Sequence, residues 1–189
     1  MSLLAAAATA LAITIRVYDT YGLPPDQRAE ALAIAGETLA QAGVAVTWLD
    51  CTRQPDGSRP AACLALLKEH ELVVRIQARS PRGPHVLGTA IVQADGKPNV
   101  FASVYAASVA DKATRSGVWI PTLLGRATAH EIGHLLLGEN AHGPHGLMRA
   151  SWNVKRLHPS EWQFTEADAE RIHRRFLVPT DALVAALEE

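Results

Sequence analysis

The chain has 189 residues, 48% of them hydrophobic and 20% charged, and its formal net charge is -1 at pH 7. That length allows one domain with a sizeable core, and the balance excludes a disordered chain or a polyanion-binding surface. Nucleic acid is therefore not expected as a partner: Arg171, Arg174 and Arg175 are interleaved with Glu166, Asp168 and Glu170 and read as a solvated helix face.

Met1 to Ala12 is apolar and alanine-rich and ends in Ala10-Leu11-Ala12, the small-residue form of a signal-peptidase site, although no positive residue precedes it. A membrane span needs about 20 strongly apolar residues, so no stable membrane insertion is expected. Residues 1–12 read as a signal-peptide remnant, an expression-vector remnant or the start of a strand, and residues 13–189 as a single domain with sub-lobes 13–138 and 139–189. A secreted or periplasmic protein is the expectation.

Ile13 to Tyr18 alternates β-branched and polar residues, as a strand does, and Gly22-Leu23-Pro24-Pro25 breaks it and opens a helix. From Asp26 to Ala42 the apolar residues Ala29, Leu32, Ala33, Ala35, Leu39 and Ala40 recur at helical spacing, and Gly43 ends the run. Val44 to Leu49 is a second strand. Cys51 and Cys63 then flank a Pro/Gly/Ser-rich loop, and a disulfide closing it suits an oxidising compartment; the alternative is two unrelated buried thiols.

Leu72 to Gln77 is a third strand, and Val86 to Val92 and Val100 to Tyr105 are two more, joined through Asp95-Gly96-Lys97-Pro98-Asn99 in hairpin fashion. Pro121 begins a long apolar helix ending near Gly138. An irregular Gly/Pro-rich stretch follows through Met148, and a last clear helix starts at Thr165, whose spacing to Asp168 resembles a capping box; Pro179 and Thr180 precede a short terminal helix.

The chemistry sits on the apolar helix. His130-Glu131-Ile132-Gly133-His134 places two histidines one turn apart on one helix face, where both can reach one zinc ion, with Glu131 beside them to accept a proton from an attacking water. A chance match of these five residues in a surface helix is the plain alternative. The sequence that follows strengthens the motif, because a glycine at 138 can end the helix in a left-handed turn and swing a third histidine, His142, back to the metal. His145 and, behind it, Glu139 remain alternative third ligands, and a site of two histidines remains open. His145 otherwise reads as a residue behind the ligands, a substrate contact or a surface histidine. His70, His85, His158 and His173 read as surface or structural histidines.

These residues resemble the metzincin clan of zinc peptidases, marked by His-Glu-x-x-His-x-x-Gly-x-x-His and a methionine turn under the metal. The short gap to Met148 looks most like small secreted bacterial members such as snapalysin. The resemblance implies an α+β fold: a mixed twisted sheet with a backing helix and an active-site helix, plus a small irregular and helical C-terminal lobe. It implies zinc as cofactor, His130, His134 and His142 as ligands, Glu131 as general base and Met148 as the methionine-turn residue, packed without bonding the metal. It also implies that the strand around Gly88, Thr89 and Ala90 pairs with an extended peptide or protein substrate. The chain departs from the pattern in spacing, since Gly138 comes four residues after His134 and His142 eight.

The expected activity is metalloendopeptidase cleavage of peptide bonds, for which three neutral imidazoles leave zinc one open position. His145, Arg149 and Tyr105 are candidates to assist the developing oxyanion. A catalytically silent zinc-binding domain and a zinc hydrolase of non-peptide amides are the alternatives; the first has no use for Glu131.

Overall fold

The computed structural model describes residues 11–54, 56–93, 100–155 and 158–177. The expectations for the N-terminal segment through Ala10, the Asp95–Asn99 turn and the terminal helix after Pro179 lie outside them.

Strands β1 (Leu11–Asp19), β2 (Val44–Asp50), β3 (Glu71–Gln77), β4 (Gly88–Ile91) and β5 (Phe101–Tyr105) form one sheet in the order β2-β1-β3-β5-β4. β1, β2, β3 and β5 run parallel, and β4 pairs antiparallel with β5 at the edge, Ala90 opposite Ala102. Helices α1 (Pro25–Gln41), α2 (Ala106–Ser116), α3 (Ile120–Leu137) and α4 (Glu166–Leu177) complete the fold.

Period-2 alternation explains how β1 serves two faces. Ile13, Ile15 and Val17 are buried and share a core with Leu39 of α1 and with Leu123, Leu124 and Ile132 of α3. Arg16 and Tyr18, on the other face, hold down the disulfide loop: Arg16 donates to the Ala65 carbonyl at 2.7 Å and pairs with Glu71, and the Tyr18 hydroxyl donates to the Cys63 carbonyl at 3.1 Å. Cys51 and Cys63 are bonded across a separation of 12 residues, a loop worth up to about 3 kcal/mol in the chain-entropy account of disulfides.

Helix α2 departs from the sequence expectation, which ran from the last strand to the histidine helix without it. β5 passes into α2 with no intervening loop residue, and α2 closes at Gly117, which takes the left-handed conformation at φ +67°. α4 begins as expected from its capping box: the Asp168 N–H donates to Thr165 Oγ1 at 3.1 Å and the Thr165 N–H to the Asp168 carboxylate at 3.2 Å. Its arginines Arg171, Arg174 and Arg175 are exposed, as expected, and two of them also reach the end of α3. Arg175 donates to the Leu137 carbonyl at 3.0 Å and Arg171 pairs with Glu139, so α4 caps the end of α3.

Candidate metal centre

α3 packs in the core, and its middle turns are buried on all sides, which is why His130, Glu131 and His134 are at most 8% exposed. His130 and His134 bring their Nε2 atoms to 3.1 Å of each other. Each Nδ1 faces a main-chain carbonyl: His130 that of Leu147 at 2.8 Å, His134 that of Glu139 at 2.9 Å. A carbonyl can only accept, so both Nδ1 atoms carry the hydrogen and both Nε2 atoms present lone pairs toward the same point. Burial pushes the His130 imidazole down to about 4 and also lowers His134, so protonation does not relieve that opposition at neutral pH. Converging, unprotonated donors of this kind fit a metal cation.

The third donor arrives from the irregular segment. Gly138 ends α3 in the left-handed conformation at φ +70°, its N–H on the His134 carbonyl at 2.9 Å. The chain then turns so that His142, itself solvent-exposed, lies with its ring 4.8 Å from that of His134 and 5.4 Å from that of His130. The donor nitrogens of all three lie within 4.8 Å of one another. Across this turn the Glu139 carbonyl meets His134 Nδ1. The Glu139 side chain is turned to Arg171 instead. His145 stays out of the cluster, its side chain 77% exposed and 3.9 Å from Glu161.

Met148 is buried, its sulfur against the backbone of Gly133 on the histidine helix. The residue before it was missed from sequence. The Leu147 carbonyl receives His130 and also the Trp152 indole at 3.2 Å, while the Leu147 N–H donates to Gln163 at 2.7 Å. The turn is thus a fixed scaffold for His130, and the Trp152 ring meets the imidazole edge-on at 5.3 Å.

Glu131 lies against Gly88 of β4, where a β-carbon would collide with its carboxyl group. Burial raises its carboxyl to about 8, opposed by a hydrogen bond from the Ala90 N–H. Of the three β4 residues singled out from sequence, Gly88 lines the cleft, Thr89 receives the Tyr105 hydroxyl at 3.4 Å and Ala90 holds Glu131. A cleft of about 320 Å³ opens over the site, bounded by Gly88, Lys112, His130, Glu131, His142 and Trp152. Arg149 and His85, the latter exposed and outside the donor cluster, also line it. His145 and Tyr105 do not.

No helix among the described residues is long and apolar enough to cross a membrane. No family model and no curated protein matches the sequence. Among solved structures, archaemetzincin from Methanopyrus kandleri superposes with a TM-score of 0.60 at 18% identity, over 88% of this chain and 96% of that one. The mostly parallel five-stranded sheet, its antiparallel edge and the four helices therefore compose a fold like that of archaemetzincin.

Proposed function

We propose that this chain is a zinc-dependent peptidase, on the strength of one observation above all: three histidine donors converge beside a buried glutamate that a cation-binding helix does not need. His130, His134 and His142 would hold the metal, His130 and His134 through Nε2. Zinc, when bound, polarises the scissile carbonyl, acidifies water and, as a neighbouring dication, favours the carboxylate form of Glu131.

The chain's own residues supply the rest. The Leu147 and Glu139 carbonyls fix the histidine rings, and the Ala90 N–H orients Glu131. Glu131 accepts the proton of the attacking water and delivers it to the departing amine. The edge strand β4, bonded to β5 on one side, offers main-chain groups to an extended peptide, and Trp152 closes the cleft beside His130. Endopeptidase action and an exported location extend the same reading, the latter supported by the disulfide. The gap of six residues from His142 to Met148 supports the finer likeness to small secreted enzymes such as snapalysin.

Incubation of the purified protein with unfolded protein substrate, with and without a chelator, tests this. Cleavage that the chelator abolishes and zinc restores is expected, and Glu131→Gln should keep the metal yet lose turnover by several orders of magnitude. Metal binding without cleavage would favour the silent domain or a hydrolase of non-peptide amides.

A further inference from the structure

Helix α2 buries Ala106, Val109 and Ala113 against the core. Lys112 lies beside that apolar stripe, half-buried, and lines the cleft. The charges around it are already committed. The adjacent Asp111 pairs with Arg79 at 2.9 Å, and Arg149, on the other wall, pairs with Glu161 at 2.7 Å. Among the described residues lining the cleft, Glu131 is the only acidic side chain, and it forms no ion pair with Lys112. Lys112 makes no ion pair with any described residue. Among the described residues, the half-buried Lys112 therefore lines a cleft of about 320 Å³ that supplies no counterion to it.

We propose that Lys112 selects a carboxylate of the substrate, carried either on an Asp or Glu side chain or at the free end of the chain. This inference rests on the peptidase reading for the identity of the substrate. Lysine suits the task, because a compact, mobile ammonium meets a carboxylate without demanding one fixed orientation. A basic substrate group at the same subsite would face Lys112 and be disfavoured.

Cut sites in a denatured protein, read by mass spectrometry, test the selection. The wild type is expected to favour Asp and Glu over Asn and Gln at one fixed subsite, or cuts near free C-termini, by about fivefold, and by less as salt is raised. Lys112→Glu should invert the preference toward Lys and Arg, and Lys112→Arg should keep it. In a second arm, zinc-loaded Glu131→Gln protein is titrated with labelled peptides that differ only as Glu against Gln, or as free against amidated C-terminus. A difference in the first pair assigns the side-chain carboxylate, and one in the second assigns the terminus.

Absence of any preference in both arms, or one that Lys112→Glu leaves unchanged, overturns the proposal. Selective binding by the Glu131→Gln protein, with no cleavage of any peptide by the wild type, would support the carboxylate site while overturning the peptidase reading.

Discussion

The sulfur of Met148 lies 2.6 Å from where a β-carbon on Gly133 would stand, and the Phe164 ring edge lies 2.7 Å from the same point. Gly133 sits between the two helical histidines, so this contact couples the Met148 turn to the histidine-bearing helix. Gly133→Ala gains about 1 kcal/mol of helix propensity but inserts a methyl group into a packed site, which costs about 1 to 3 kcal/mol. The crowding is expected to win. Thermal unfolding should show a lower Tm, with zinc affinity reduced because the turn also carries the Leu147 carbonyl. A more stable variant with unchanged affinity would mean that Met148 and Phe164 move aside freely.

How far this site was legible in the sequence follows from which groups make it. His130, Glu131 and His134 declare themselves by side-chain type and helical spacing, and Gly138 marks the turn that returns His142. The Leu147 and Glu139 carbonyls do not, since every residue carries one and only the folded path aims it. Helix α2 was missed for another reason. Its polar residues Asp111, Thr114 and Arg115 stand apart from the buried Ala106, Ser108, Val109 and Ala113, so its amphipathic pattern was legible, but no capping residue marks where β5 ends and the helix begins. The strands were legible one by one because each alternates or is continuously apolar. Their order was not, because pairing depends on contacts remote in the chain.

Trp152 offers a separate test of the scaffold. Its indole N–H donates to the carbonyl that orients His130. Trp152→Phe keeps most of the packing but removes that donor, and partners behind a metal ligand are worth roughly 10- to 100-fold in affinity when lost. Because His130 itself still bonds Leu147, a loss of about tenfold or less is expected in a zinc competition titration. No change at all would leave Trp152 as packing only.

The metal-free protein should lose stability toward both acid and alkali. His130 is depressed to about 4, so as pH falls from 6.5 the unfolded chain gains a proton that the folded one refuses. The interval corresponds to about 3 kcal/mol lost by the time the folded imidazole titrates. Glu131 works in the opposite sense: with its value raised from 4.5 to about 8, the folded protein keeps a proton that the unfolded chain has released, and stability is lost as pH rises through that range. Between pH 4.5 and 6.5 the two slopes oppose and cancel, so urea midpoints measured with a chelator present should be level across that range and fall on either side of it. Glu131→Gln should make the acid limb begin near pH 6.5 and flatten the alkaline one. An alkaline limb that persists in this variant would have to come from other groups.

The proposed third ligand is tested by comparing two histidines that lie three residues apart. His142 has its nitrogen within 4.8 Å of the other two donors, whereas His145 is 77% exposed and nearest to Glu161. His142→Ala should weaken zinc binding by more than the roughly 100-fold that marks the upper range for groups behind a ligand. His145→Ala should retain the metal and change turnover at most modestly, since its side chain neither joins the cluster nor lines the cleft. Zinc titration against a competing chelator reads both variants. If His145→Ala proved the more damaging, the segment from Glu139 to Pro144 would have to fold over the site differently in the metal-bound protein. That would break the Gly143 N–H to Met148 carbonyl bond, 2.9 Å long here, which ties the His142 loop to the methionine turn.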